Sequence, residues 1–324
     1  MSRDGLRSLS SRAGEDALPA SGPAVLPLRP AASRKRTPGV LLLAPALIYL
    51  VVMTQVPFLL TLYYSFHSWN LMQPLLGIRF VGLANYAQIV LHDPIFRTVV
   101  VNTVVLTGSL LVLTILLGLV LALLLTRSFP GRAVVRTLLI TPFLIMPTVS
   151  AVMWKNMLMN PVYGLLDYVL RSAGLPGPDW LATYPMPSVI AIVAWEWTPF
   201  MMLILLAGLQ SIPLELLDAA RADGAGPLGV FRFVTLPHLG VYFQIAILLG
   251  TIYLVQVFGE IFVATSGGPG IATTNLPYYI YLTGFQYWTI GSASAMGVIT
   301  VVLTMFAAMG FFRILAGAIT RVTP

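Results

Sequence analysis

The sequence predicts an all-α polytopic membrane protein with six transmembrane helices, and three observations lead to this fold class. Of the 324 residues, 58% are hydrophobic and only 9% are charged, and there is no cysteine. A soluble domain is roughly a quarter charged, and a chain of this length keeps a large water-exposed surface. The apolar residues are also concentrated in long runs. Together these features exclude a soluble enzyme, a disordered chain and a disulfide-stabilised scaffold.

Each apolar run is long enough for a helix that crosses a bilayer, which takes about 20 residues. The first run begins too late in the chain, and is too long, for a cleaved signal peptide. We therefore expect a transmembrane helix in every run. The predicted spans are residues 40–63, 99–125, 134–154, 187–209, 239–265 and 291–315.

The N-terminal segment, residues 1–37, differs in composition from the rest of the chain. It is rich in Ser, Ala, Pro and Arg and cannot bury enough apolar surface to fold. We predict a disordered cytoplasmic tail over 1–37 and a transmembrane domain over 38–324.

Lysine and arginine set the expected orientation, because cytoplasmic segments carry an excess of both. With the N-terminus inside, 14 of these side chains lie in cytoplasmic segments and 4 lie outside, which accounts for all 18. We therefore expect both termini in the cytoplasm and lipid around the spans. The net charge of +7 then follows from topology, and no motif indicates a nucleic-acid partner.

No residues in the sequence predict catalysis or a metal site. There is no G-x-x-x-x-G-K-[ST] pattern, so the chain cannot hydrolyse a nucleotide through a P-loop of its own. The three histidines, His67, His92 and His238, lie far apart, and without cysteine a zinc site is not expected. Energy for any work must therefore come from a partner or an ion gradient.

The segment between the fourth and fifth predicted spans, residues 211–237, is named the coupling loop below. Its sequence predicts two short helices joined by a glycine turn. Pro213 suits a first helical turn, with Ser211 as a candidate N-cap. Gly224 suits a left-handed C-cap position, and Pro237 is expected to stop the second helix.

The first helix of the loop also has the features of a docking surface. Glu215 and Asp218 lie in its early part, where the helix dipole favours negative charge. Ala219 and Ala220 leave a low-relief face on which another protein could pack closely.

Asp218-Ala219-Ala220 is followed after three residues by Gly224, and after nine more by Val234-Thr235-Leu236-Pro237. In this spacing the sequence resembles the permease subunits of binding-protein-dependent ABC importers, which carry E-A-A, glycine and I-x-L-P with the same gaps. Asp for Glu at 218 and Val for Ile at 234 keep the chemical type. The resemblance implies that the loop couples the permease to an ATPase. The residues it implicates are Glu215, Asp218, Ala219, Ala220, Asp223, Gly224, Leu236 and Pro237.

Further stretches are similar to the carbohydrate branch of that family. They are Trp197-Thr198-Pro199-Phe200 with Leu206-Ala207-Gly208-Leu209-Gln210, Ser266-Gly267-Gly268-Pro269-Gly270, and Phe80-Val81-Gly82-Leu83-Ala84-Asn85-Tyr86. They imply a type I ABC importer permease fold and transport of a sugar, an oligosaccharide or a sugar alcohol across a bacterial inner membrane.

The resemblance also implies the partners. These are a dimer of ABC ATPase subunits, a second permease that is a distinct homologous chain, and an extracytoplasmic substrate-binding protein. ATP and magnesium would be used by the ATPase, so this chain is expected to be non-catalytic and to hold no cofactor.

Several polar or aromatic residues within the spans are candidates for the substrate path, because ionisable groups in a bilayer usually face the bundle interior. Glu196 lies beside Trp195 in the fourth span, and Asn102 lies in the second. Gln256 and Glu260 are one helical turn apart in the fifth span and are expected to point the same way. The alternative is that these groups satisfy one another or the helix backbone.

A second functional hypothesis is an ion-coupled secondary transporter that uses Glu196 and Glu260. Such proteins normally contain internal repeats with interrupted helices in matching positions. The sequence contains no internal repeat, and this hypothesis leaves the coupling loop unexplained.

Overall fold

The computed structural model describes the backbone of residues 39–319 and the side chains of residues 43–310. The tail predicted over residues 1–37 lies outside the described residues. The chain divides into two units, residues 1–52 and 53–324. The described part of the first unit is the beginning of the first helix, whose side chains from Leu43 to Val52 include none that is buried.

The described residues are almost entirely helical. Two short strands, β1 (His67–Ser68) and β2 (Arg79–Phe80), pair antiparallel. The helices are α1 (Gly39–Ser65), α2 (Ala84–Ala87), α3 (Pro94–Thr126), α4 (Arg132–Ile140), α5 (Pro147–Met153), α6 (Leu165–Ser172), α7 (Trp180–Thr183), α8 (Pro185–Gln210), α9 (Leu214–Ala222), α10 (Pro227–Val230), α11 (Leu236–His238), α12 (Gly240–Leu254), α13 (Gly259–Ala264), α14 (Leu276–Tyr281) and α15 (Ile290–Ile319). Short 3-10 turns (Pro74–Leu76, Thr141–Leu144) and π-helical turns (Gln88–His92, Trp154–Leu158, Phe231–Thr235, Leu282–Gln286) join or extend them.

Four of the predicted spans are single helices, and the all-helical membrane fold is confirmed. Within the described part of the chain, α1, α3, α8 and α15 are long and apolar enough to cross a membrane. Two bent pairs bring the number of candidate spans up to six if each pair is one span.

The third span, expected to be one helix over 134–154, is broken. Its two halves, Arg132–Leu144 and Pro147–Leu158, meet at an angle of 101°. Proline lacks an N–H and disfavours helical geometry in the residue before it. Met146 is accordingly extended, with ψ of 138°, and Pro147 begins α5.

The fifth span, expected over 239–265, is also interrupted. The segment Pro227–His238 meets α12 at 57°. Farther on, α12 ends at Leu254, and the chain passes through non-helical residues before α13 begins at Gly259.

The loop after α13 is fixed to α3 by side-chain hydrogen bonds. The Asn102 amide donates to the backbone oxygens of Ile271 at 2.9 Å and Thr274 at 3.1 Å. The Thr103 hydroxyl accepts from the Leu276 N–H at 2.9 Å. Asn102, a candidate for the substrate path, therefore uses its amide nitrogen to hold this loop.

The most extensive helix–helix packing among the described residues is between α3 and α8. A Cβ atom added at Gly118 of α3 would lie 2.8 Å from the Met202 backbone nitrogen and 3.0 Å from the Met201 Cβ on α8. Membrane helices associate largely through such close van der Waals packing, which small residues permit. Gly118 therefore sets the separation of these two helices.

We expect Gly118→Ala to lower the amount of folded protein in the membrane, because overpacking of this kind costs about 1–3 kcal/mol. The matched control is Gly108→Ala on the same helix, where an added Cβ meets nothing within 4 Å. Thermal unfolding in detergent, followed by fluorescence-detected size exclusion, measures the stability of each of the two variants. Equal stability of the two variants would contradict this role of Gly118.

Candidate functional site

The coupling loop folds as two helical segments joined by a tight glycine turn. The first segment is α9, and the second runs from α10 through Phe231–Thr235 to α11. Gly224 has a φ of +83°, its N–H donates to the Arg221 carbonyl, and the Ala225 N–H donates to the Ala220 carbonyl at 3.0 Å. This is a helix end closed by a left-handed residue. The predicted left-handed C-cap at Gly224 is confirmed, and its part in docking stays a prediction.

Three predicted details of the loop are wrong. Pro213, expected in the first helical turn, lies before α9 at the N-cap position. Ser211 does not cap α9: the residue before α9 is Pro213, which provides no side-chain hydrogen bond. Two residues separate Ser211 from the first residue of α9. Ser211 lies directly after α8, and its hydroxyl forms hydrogen bonds with groups outside α9. The second helical segment continues one residue past Pro237, to His238.

The surface of the loop is open to solvent. α9 contains no buried residue. Asp218 and Arg221 form an exposed ion pair of 3.0 Å, which contributes little to stability at such exposure. Ala219 is exposed and Ala220 is half-buried.

Apolar side chains stand out from the loop. Leu214 is 74% exposed, Leu228 77% and Phe233 73%. Leu236 and Pro237 are exposed as well. A cluster of exposed large apolar side chains is typical of a protein–protein contact surface.

The two acidic candidates of the spans lie near one another in the structure. Glu196 on α8 and Glu260 on α13 are each only 3% exposed. They are close enough to interact electrostatically, and Ser150 of α5 is beside Glu196. The bend of the third span and the break of the fifth thus bring three separate segments to one polar cluster, defined here as Ser150, Glu196 and Glu260.

The polar cluster is incompletely hydrogen-bonded. The Glu196 Oε2 and the Ser150 Oγ are buried, and neither has a partner of ordinary hydrogen-bond geometry among the described residues, although the Ser150 hydroxyl lies near the Glu196 carboxyl. Glu260 lies in the first turn of α13, near the backbone N–H groups of Phe258 and of Glu260 itself. Buried polar groups without partners are costly, so the cluster is suited to accept hydrogen bonds from a bound group.

The sequence analysis missed Ser150, because a single serine in an apolar run has no signal in composition. Pro147, three residues earlier, marks the break that turns this serine inward. Trp154 was missed also: its ring meets that of the candidate Trp195 edge to face, with centroids 5.9 Å apart.

The expectation that Gln256 and Glu260 point the same way is wrong. α12 ends at Leu254 and α13 begins at Gly259, so no continuous helix relates the two residues. Gln256 is exposed and its amide donates to the Ile252 carbonyl at 2.8 Å. Glu260 is buried.

A polar cavity of about 380 Å³ lies beside the far end of α13. Lys155 contributes to its wall, and the Lys155 ammonium donates to the Val263 carbonyl at 3.0 Å. The other polar side chains that line it are Asn156, Asn160, Asp179 and Thr265. Among the described residues, no group of three or more metal-ligating side chains comes together.

Comparison with known proteins gives a consistent result. Residues 101–321 match the family model described as "Binding-protein-dependent transport system inner membrane component". The trehalose/maltose transport system permease protein MalF of Thermococcus litoralis is 35% identical, over 85% of this chain and 92% of that protein. The sn-glycerol-3-phosphate transport system permease protein UgpA of Agrobacterium fabrum is 34% identical, over 84% of this chain and 92% of that protein.

Among solved structures, a chain of a bacterial alginate ABC transporter, crystallised with an alginate pentasaccharide-bound periplasmic protein, has the same fold. The TM-score is 0.72 at 21% identity, over 84% of this chain and 91% of that one.

Proposed function

The chain belongs to the family of inner-membrane components of binding-protein-dependent transport systems, and on that premise we propose that it moves a sugar, an oligosaccharide or a sugar alcohol into the cell. As a permease of such an ABC importer it is a non-catalytic, multi-pass inner-membrane subunit without a cofactor. Membership of this family decides against the ion-coupled secondary transporter.

The substrate class rests on the carbohydrate-branch stretches of the sequence and on the trehalose/maltose permease at 35% identity. A second candidate substrate is a phosphorylated polyol, because the sn-glycerol-3-phosphate permease is nearly as similar, at 34% identity. Both candidates are polyhydroxylated, so both would offer hydroxyl groups to the same kind of site.

ATP coupling through the coupling loop is the central part of the proposal, and the exposed apolar surface of that loop carries it. Leu214, Leu228 and Phe233, which lie in the two helical segments of the loop, are each more than 70% exposed. A dimer of ABC ATPase subunits is the partner that would cover them. The docking residues proposed are Glu215, Asp218, Ala219, Ala220, Asp223, Gly224, Leu236 and Pro237.

The remaining partners are a second, homologous permease and an extracytoplasmic binding protein. The alginate transporter is described in complex with a periplasmic protein, which supports the latter for an importer with this fold. Residues 38–324 form the permease domain in this proposal.

The proposed substrate path runs through the polar cluster. Glu196, whose Oε2 is buried without a partner, and Glu260, which is equally buried, would accept hydrogen bonds from substrate hydroxyls. Trp195 would offer an apolar ring face beside them. Gln256 and Asn102 remain weaker candidates, because their amide nitrogens already donate to backbone carbonyls.

The proposal is tested with the complete complex of both permeases, the ATPase and the binding protein in liposomes. We expect one compound among trehalose, maltose, sorbitol and sn-glycerol 3-phosphate to stimulate both ATP hydrolysis and its own uptake. The subunit alone, in liposomes with a proton or sodium gradient, should transport none of them.

Stimulation by an amino acid instead of these compounds would overturn the substrate class. Gradient-driven uptake by the subunit alone would overturn the coupling to an ATPase.

A further inference from the structure

The two ends of the coupling loop meet at a single hydroxyl group. Ser211, at the start of the loop, lies 2.9 Å from the Nε2 of His238 and 2.9 Å from the hydroxyl oxygen of Tyr242. His238 ends the second helical segment of the loop, and Tyr242 lies in the first turn of α12. The Ser211 hydroxyl also donates to the Gly208 carbonyl of α8, at 2.9 Å.

These three contacts use the whole hydrogen-bonding capacity of a serine hydroxyl, which has one donor and two acceptor positions. Since the hydrogen goes to the Gly208 carbonyl, Ser211 accepts from the Nε2–H of His238 and from the hydroxyl of Tyr242. This arrangement therefore requires a hydrogen on the Nε2 of His238.

Close packing at the base of the loop accompanies these hydrogen bonds. A Cβ atom added at Gly208 would lie 2.6 Å from the Tyr242 ring and 2.7 Å from a methyl carbon of Leu239. Leu239 is fully buried. The rings of His238 and Tyr242 stack, with centroids 6.2 Å apart. The end of α8 and the start of α12 are thus in direct contact.

Beyond this base the loop is exposed. α9 buries no residue of its own. A force applied to α9 by a docked partner would reach the membrane helices through the base, where α8 and α12 join the loop. If α8 and α12 were not in contact at the base, α9 could tilt without moving both helices.

We propose that Ser211 is a positioning residue for energy coupling, which, with His238 and Tyr242, clamps the two ends of the coupling loop so that α8 and α12 move together when the docked loop moves. The inference rests on the proposed coupling function of that loop. It concerns the base of the loop and not the surface that contacts the ATPase.

The test is Ser211→Ala in the reconstituted complex, with the most stimulating of the four compounds above as the probe. We expect at least a fivefold rise in ATP hydrolysed per molecule taken up, because fivefold corresponds to one ordinary hydrogen bond and the change removes two that cross the base, to His238 and Tyr242. Assembly with the ATPase and abundance in the membrane should not change. Ser211→Thr, which keeps a hydroxyl, should restore the wild-type ratio.

The matched control is Ser172→Ala at the end of α6. The Ser172 hydroxyl donates to a carbonyl three residues earlier, Val169, at 2.7 Å, as Ser211 does to Gly208. Its side chain is exposed and makes no hydrogen bond to another segment among the described residues. Its loss should therefore leave the ratio of ATP to uptake unchanged.

A double variant identifies the clamp as a unit. If Ser211 acts through His238, then Ser211→Ala with His238→Ala should raise the ratio no further than either single change. Tyr242→Phe, which removes one oxygen, gives the same measurement should Ser211→Ala reduce membrane abundance.

An unchanged ratio in Ser211→Ala or Tyr242→Phe, or a strictly multiplicative double variant, would overturn the clamp while the wild-type complex still couples ATP to uptake. A wild-type complex without ATP-dependent uptake would instead overturn the proposed function, and the clamp with it.

Discussion

The Gly224→Asp variant is expected to abolish ATP-dependent uptake while the subunit remains in the membrane in normal amount. Gly224 has a φ of +83°, where a side chain costs roughly 1–2 kcal/mol. An added Cβ atom at this position meets nothing within 4 Å, so the fold itself has room for it. The new carboxylate, however, follows Asp223 on the surface where the ATPase would dock. Docking should fail although the permease folds.

Three measurements on the same membranes check this prediction: uptake, abundance by immunoblot, and cross-linking from a cysteine placed at Ala219 to the ATPase. The chain has no cysteine of its own, so the cross-link has no background from this subunit. The matched control is Gly131→Asp, because Gly131 has a similar φ of +80° and equally open surroundings. Loss of uptake in both variants would indicate a general effect of strain, and normal uptake in Gly224→Asp would contradict a docking role.

Glu260→Ala is expected to lower uptake per permease molecule at least tenfold, since a hydrogen bond to a charged group contributes about 1.5–3 kcal/mol. Co-purification of the ATPase should stay at the wild-type level, because Glu260 lies on α13 and not in the coupling loop. Glu260→Gln keeps the hydrogen-bonding shape without the charge and should be less impaired. Glu196→Gln tests the second carboxylate of the cluster in the same way.

Abundance in the membrane separates a role in the substrate path from a purely structural one. If Glu260 serves only to satisfy the first turn of α13, Glu260→Ala should lower abundance and leave uptake per molecule intact. Unchanged uptake at unchanged abundance would remove Glu260 from the proposed path.

The sequence predicts the straight spans well because their signal is local. Helices α1, α3, α8 and α15 contain the whole of the expected runs over 40–63, 99–125, 187–209 and 291–315 and extend a few residues beyond them. In the third and fifth spans the sequence stays hydrophobic through a bend or a break. A hydropathy average over a window of residues contains no information about the direction of the helix axis. The prolines at 142 and 147 indicate where the third span bends, but not the angle of the bend.

The features of the candidate site are likewise either local, and predicted by the sequence, or formed by residues far apart in the chain, and not predicted. The glycine turn of the coupling loop is specified by residues within a few positions of one another, so its spacing predicted it. The polar cluster joins Ser150, Glu196 and Glu260, which are far apart in the chain and are brought together by two interruptions whose angles the sequence does not reveal. The supposed common face of Gln256 and Glu260 fails for the same reason, because it assumed a helix that the structure does not contain.

The interruption of the fifth span also affects how a mutational scan of this protein should be interpreted. An open helix end leaves carbonyl groups that hydrocarbon cannot solvate. Polar side chains solvate them here: the Asn275 amide donates to the Val257 carbonyl, and the Lys155 ammonium donates to the Val263 carbonyl at 3.0 Å. Replacing either donor would impair insertion and folding of the span. A loss of uptake at Asn275 or Lys155 that is accompanied by lower abundance in the membrane would therefore indicate a solvation defect of the main chain, not a loss of substrate recognition.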